Sequence, residues 1–244
     1  MTIPEILQKT NHRPWPLPPK KWNYYQEWKD VVFLHWKVDL DILQEFVPKE
    51  LTIDTLESSA YVSLVPFTME KIRPRFLPPF SPISTFHEVN VRTYVSQGSK
   101  TGVYFLSIEA SKRLSCFLAR SLSGLPYRPS SMNRSQNHYS AKNYEFADQL
   151  ELQYEIGSII QNKSPLDIWL TERYALYHVQ NHKVFEFEVH HAEWQMQETE
   201  VKIPTLHYER FAQLFSGTPD LCHYSKGVEV LSWDKDNIKS QQYK

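Results

Sequence analysis

The residues best suited to chemistry lie on one short segment, His87–Val95, where alternation sets Glu88, Asn90, Arg92 and Tyr94 on one face. Val89, Val91 and Val95 fall on the other face. A carboxyl there could take up or release a proton, and a guanidinium could grip a carboxylate in a bidentate fork. The same pattern also describes an antiparallel sheet with one face in water, so alternation leaves both arrangements open. Arg120, and Tyr127 in the turn Gly-Leu-Pro-Tyr, would add a second guanidinium and a phenol. Arg92 and Arg120 together suit a small organic acid, and an ion pair at a helix edge is the plainer role for Arg120. Thr171–Tyr174 reads as strand, with Glu172 and Tyr174 on one face and Arg173 on the other, a pattern that also suits a cross-strand salt bridge. His190 and His191 are adjacent and would point to opposite faces, so they cannot share a metal and no metal site is expected. His191 is a candidate acid or base, with a hydrogen-bonded core histidine as the alternative. The sequence contains no GxSxG elbow, Walker loop or GxGxxG, and no cofactor is expected.

The elements that would carry these residues follow from pattern. Strands are expected at 31–38, 60–67, 87–95 and 103–108, and later at 150–156, 168–179, 184–194 and 228–233. A short helix capped by Asp39 should end before Pro48. The best helix is 110–122, where Ala110, Leu114, Phe117, Leu118 and Leu122 form one stripe and Gly124 can end it. A further helix is expected over 206–215. Residues 1–28, rich in Pro and Trp, read as an irregular docked arm, and residues 29–244 as one domain.

Composition narrows the class. The chain has 244 residues, 41% of them hydrophobic and 14% aromatic, with only 6 Gly, which is ample material for a core. The net charge is -1, so the whole-chain balance draws it neither to nucleic acid nor to a membrane. Two cysteines without disulfide, zinc or CxxC spacing, an N-terminus without signal-peptide character and no long apolar run predict a cytoplasmic protein.

Several blocks carry a resemblance. RPRFLPP at Arg73–Pro79, FHEVNVRTYV at Phe86–Val95, GVYFLSIEASKRL at Gly102–Leu114, GLPY at Gly124–Tyr127, TERY at Thr171–Tyr174 and HHAEW at His190–Trp194 look like the recurring blocks of the YqjF-like bacterial family. That family is of unknown function and is similar in fold to acetoacetate decarboxylase. The resemblance implies a single-domain, β-rich (α+β) β-barrel with a few peripheral helices and a polar lumen. The decarboxylase site it implies has a glutamate, matched here by Glu88, and two adjacent lysines after a Gly-aromatic-Pro turn. Tyr127 and Arg128 stand where those lysines would be, so the Schiff-base amine is missing.

The expected function is accordingly binding of a small anionic metabolite, a keto acid or carboxylate, through Arg92, Arg120 and Glu88. If there is turnover, the resemblance implies lyase or hydratase-like proton transfer with Glu88 or His191 as base and Tyr127 as donor. A non-catalytic binding module and a structural protein whose polar lumen is satisfied by its own ion pairs are the alternatives.

Overall fold

A computed structural model describes residues 1–238. The strands are β1 (Tyr24–Val38), β2 (Thr52–Ile53), β3 (Ala60–Pro74), β4 (Phe86–Gln97), β5 (Lys100–Ala110), β6 (Tyr127–Pro129) and β7 (Ser131–Ser135). They continue with β8 (His138–Lys142), β9 (Gln149–Ile159), β10 (Ala175–Gln180), β11 (Lys183–His190), β12 (Met196–His207), β13 (Leu221–Ser232) and β14 (Asp236–Ile238). Five short helices interrupt them: α1 (Ile3–Gln8), α2 (Leu40–Gln44), α3 (Ser81–Ser84), α4 (Arg113–Ser123) and α5 (Pro165–Thr171). The fold is therefore β-rich with few helices, as expected. No helix among the described residues is long and apolar enough to cross a membrane.

The strands form one mixed sheet in which β11, β10, β5, β4, β3, β1 and β13 follow one another, and a β11–β13 pairing returns the end to the start. Through that pairing these seven strands follow one another in a ring. Its two weakest seams are short. β11 meets β13 through Val189↔Ser232 and His190↔Leu231, and β10 meets β5 in parallel through Leu176↔Val103 and Tyr177↔Tyr104. Gly102 permits the second seam, because a Cβ there would lie 2.4 Å from the Ala175 carbonyl oxygen. Gly227 does the same between β13 and β1, with φ at +123° and the Trp28 oxygen 1.9 Å from where a Cβ would be.

Period-two alternation then decides what faces the ring's interior. Val31 and Phe33 of β1, Val65 and Phe67 of β3, and Glu88, Asn90 and Arg92 of β4 point into one cavity. The opposite faces of the same strands, among them Val32, Leu34, Leu64 and Val91, build a dry core beneath β9 and the Glu209–Leu214 turn. The polar face of β4 is thus an interior one, the choice that alternation alone leaves open.

Four local expectations are corrected. Residues 168–179 are not one strand: Ser164 accepts from Asp167 N, the Asp167 carboxylate accepts from Ser164 N at 2.7 Å, and Pro165 fills the first turn, so α5 precedes β10. The arm is not irregular through residue 28, since it holds α1 and gives way to β1 at Tyr24. It is docked, with Ile6 and Trp22 against Leu231 and Trp233. The expected helix 206–215 is a β12 that runs to His207 and then a 3-10 turn. Finally, α4 ends at Gly124 as expected, but its stripe faces outward: Leu114, Phe117 and Leu122 are exposed, whereas Ser115 and Cys116 are buried.

Candidate functional site

The cavity has a volume of about 400 Å³. Aromatic side chains form much of its wall, with Trp28 and Trp194 stacked at 6.0 Å and Phe33 edge-on to Trp194 at 5.2 Å. Exposed Leu122, Asp234 and Lys235 mark its mouth. Among the described residues Lys235 is the only lysine lining it, and its ammonium is tied to the Ser123 carbonyl at 3.4 Å.

Glu88 is held on β4 between β3 and β5, opposite Phe67 and Ala110. Its Oε2 accepts from the Tyr127 hydroxyl at 3.2 Å and its Oε1 from Asn90 Nδ2 at 3.4 Å. Burial pushes its pKa up to about 7, against the pull of those two donors. A carboxyl with such a value can serve as acid or base near neutrality. Tyr127 is brought there by β6, which runs parallel to β5 with Tyr127 opposite Ile108. Burial and the neighbouring Glu88 carboxyl push its phenol well above the usual range, so it stays a neutral donor.

Arg92 lies four residues along the same strand, about 13 Å in backbone terms at a rise near 3.3 Å per residue. It forms no salt bridge with Glu88. Its Nη2 donates to the Leu170 carbonyl at 3.3 Å, its guanidinium carbon stands 5.4 Å from the Phe33 ring centre, and its Nε has no partner. Among the described residues no carboxylate pairs with it. The Leu170 carbonyl also accepts from Tyr94 Oη at 2.9 Å, so the end of α5 orients both side chains.

Arg173 joins Arg92 at the wall, and sequence reasoning missed it by placing it on the far face of a strand. It sits in the turn between α5 and β10, donating from Nη1 to Asp54 at 2.6 Å and from Nε to the Trp169 carbonyl at 2.7 Å. Its Nη2 is buried without a partner. Burial lowers its pKa from the usual arginine value, and Arg92 adds to that effect. The signal that could have found it was the capping pattern Ser164-Pro165-Leu166-Asp167, which starts the helix that ends just before it.

His191 also lines the cavity, directly after β11. Its Nδ1 donates to the Ala192 carbonyl at 2.8 Å, which leaves Nε2 as an unpartnered acceptor. Burial lowers its pKa. His190 points the other way, to the Ile6 carbonyl at 2.9 Å. Arg120 is not brought to the site: it is exposed on α4, whose Ala119, Leu122 and Ser123 face the mouth. Among the described residues no three His, Cys, Asp or Glu side chains are placed to hold a metal ion.

Comparison with known proteins fits this geometry. The family of uncharacterized conserved proteins called DUF2071 matches residues 25–229. The uncharacterized protein YqjF of Bacillus subtilis is 35% identical over 226 residues, covering 89% of this chain and 93% of that protein. Among solved structures, one described as structural studies of acetoacetate decarboxylase superposes with a TM-score of 0.62 at 14% identity over 100% of both chains. The enduracididine biosynthesis enzyme MppR complexed with pyruvate gives 0.62 at 11%, over 93% of this chain and 94% of its own. An acetoacetate decarboxylase-like enzyme from Sphingomonas wittichii gives 0.60 at 13%, over 92% and 97%. The chain thus has an acetoacetate-decarboxylase-like fold, and it belongs to the YqjF-like family of uncharacterized conserved proteins.

Proposed function

We propose that the cavity binds a small organic acid, its carboxylate on Arg92 with help from Arg173, and that Glu88 exchanges a proton with the bound molecule. The observation that carries this reading is Arg92: a guanidinium on the wall of an aromatic cavity, with a free Nε and no carboxylate partner among the described residues. Such a group is costly to hold unless something anionic pairs with it. MppR, a structural neighbour, is described as complexed with pyruvate, which supports the acid class. The separation of Arg92 from Glu88 along β4 favours an acid with an apolar body between its carboxylate and the carbon that exchanges a proton.

The chemistry is noncovalent. A neutral Glu88 could protonate a carbon or oxygen of the ligand, and its carboxylate could remove a proton, with the Tyr127 phenol donating to whichever oxygen is left charged. No amine for an imine stands beside Glu88 among the described residues, since Lys235 is at the mouth and tied to the Ser123 carbonyl. His191 Nε2 is a second acceptor facing the cavity.

The test is a thermal-shift screen of keto acids and aryl- or alkyl-substituted carboxylates on wild type, Arg92→Ala and Glu88→Gln, followed by proton–deuterium exchange of any acid that binds. A ligand at 100 times its dissociation constant adds about 2.7 kcal/mol of stability. Stabilisation that Arg92→Ala abolishes, with exchange that Glu88→Gln abolishes, supports the full reading. Binding without exchange would reduce the protein to a binding module. No stabilisation by any acid would refute the anion site.

A further inference from the structure

We propose that the face surrounding the cavity mouth docks on an anionic lipid surface. Two segments build it: the loop after β3, with Phe76, Leu77 and Phe80, and the outward stripe of α4, with Leu114, Phe117 and Leu122. They are fastened together, since Lys112 Nζ donates to the Ser81 carbonyl at 3.0 Å and Ser115 Oγ to the Ile83 carbonyl at 2.9 Å. Both border the mouth. Leu122 lines it, and the loop leaves β3 at Pro74, which pairs with the cavity residue Tyr24.

The exposure is large for a surface at rest in water. Phe76 is 87% exposed, Leu122 65% and Phe80 62%. With about 200 Å² per phenylalanine, the six side chains present on the order of 500 Å² of apolar area, as large as the biggest patch of an ordinary monomer. Apolar area alone would not name the partner, but its charged surroundings do. From Lys71 to Tyr144 the only carboxylates in the sequence are Glu88 and Glu109, and both are buried, while at the mouth exposed Asp234 stands beside Lys235 and accepts from Asn23, and Asp236 pairs with Lys20. Exposed Arg113 and Arg120 stand around the patch with half-buried Arg73, Arg75 and Lys112, which lie on Tyr25, on Trp22 and against the Ser81 carbonyl, and none of the five pairs with a carboxylate among the described residues. The net charge of -1 therefore averages over a cationic face and an acidic remainder.

Basic residues ringing protruding phenylalanines and leucines match the boundary of an anionic bilayer, where rings enter the headgroup region and guanidiniums meet phosphate. A second copy of the same face would bring like charges together, and a nucleic acid would leave the phenylalanines without an apolar phase. Docking in this orientation would open the aromatic cavity toward the lipid, although the inference does not depend on what the cavity binds.

Cosedimentation of the full chain with vesicles tests it, using phosphatidylcholine alone and phosphatidylcholine mixed two to one with phosphatidylglycerol. The expected result is binding to the mixed vesicles that weakens with added salt, with little binding to phosphatidylcholine alone. Arg113→Ala with Arg120→Ala should lower the partition coefficient by about 25-fold, near fivefold per basic residue. Phe76→Ser with Phe117→Ser should abolish the binding that survives at high salt. These side chains are exposed, so an unchanged melting temperature certifies that each variant is folded. Equal partition into both vesicle types would overturn the proposal. So would binding to duplex DNA that the phenylalanine changes leave intact, or a dimer in solution that they disperse.

Discussion

Replacing Glu88 with Gln tests the electrostatics of the cavity without reference to any ligand. Burial raises the Glu88 pKa to about 7 from an ordinary 4.5, so between these values the folded chain holds a proton that the unfolded chain has released. Unfolding in that window releases the proton, and stability falls as pH rises by about 1.4 kcal/mol per unit until the folded group has ionised. Across the whole interval the loss amounts to about 3 kcal/mol, which is large against a typical total of 5 to 15. Glutamine is neutral at every pH and nearly the shape of the protonated acid. The stability difference, variant minus wild type, should therefore grow by about 3 kcal/mol in favour of the variant between about pH 5 and 8. Glu109 is also pushed up to about 7 by burial, but it contributes equally to both proteins and cancels. Urea unfolding at a series of pH values reads the difference directly. A difference that stays flat over the series would mean that Glu88 ionises at its ordinary value, and the acid–base role would fall with it.

Asp54→Asn should cost about 3 kcal/mol, because it leaves the buried Arg173 without its carboxylate partner, and an unchanged urea midpoint would refute that pairing. His35 contributes a limb of the opposite sign to that of Glu88 and Glu109: burial depresses its pKa, with a further push from His223 and Arg92, so below about pH 6.5 the unfolded chain takes up the proton first and this contribution is lost on acidification. His35→Gln should flatten that acid limb, and an unaltered slope would assign it elsewhere. Gly227→Ala should yield no folded protein, given the Trp28 oxygen in the place of the new Cβ, whereas Gly217→Ala, at φ +71° with open space around it, should cost only about 1 kcal/mol. Burial pushes the thiols of Cys116 and Cys222 up to about 11 and 12, so native protein should resist iodoacetamide near neutral pH, and rapid labelling would contradict their placement.

How far the site was legible in the sequence depended on which physical rule each residue obeyed. Glu88 and Arg92 share a face because strand periodicity is local, and β4 keeps it despite a register shift between Val91 and Arg92. Periodicity names a face but not the direction it points. On β4 the direction was supplied by resemblance, and on α4 the usual assumption that an apolar stripe packs inward was wrong, which also carried Arg120 out of the site. Arg173 was lost for another reason. Ile168–Val179 is rich enough in β-branched and aromatic residues to read as strand, and the Ser164–Asp167 cap overrides that propensity for the first part. The alignment of Tyr127 with Glu88 depends on a parallel pairing between strands separated by a helix, a relation that no local pattern encodes.

The absence of a lysine beside Glu88, with Lys235 at the cavity mouth, and the raised pKa of Glu88 are two sides of one electrostatic arrangement. Imine chemistry needs an amine kept neutral by burial and a neighbouring cation, and a cation near a carboxyl would hold that carboxyl ionised. Around Glu88 the influences are burial and two neutral donors, Asn90 and Tyr127, with no cation bearing on it. The cavity's positive charge is displaced along β4 to Arg92 and onto Arg173, where guanidiniums can bind an anion but cannot attack a carbonyl. A fold shared with acetoacetate decarboxylase therefore presents a different arrangement of charge here, with guanidiniums, the proposed anion site, at one end and a carboxyl of raised pKa at the other. Introducing a lysine at Asn90 should reverse that arrangement. Asn90→Lys would place a cation beside Glu88, pull its pKa back toward the ordinary carboxylate range, and remove the loss of stability on raising pH that Glu88 otherwise imposes. If unfolding of that folded variant kept the wild-type dependence on pH, the coupling argued here between the missing lysine and the neutral carboxyl would be wrong.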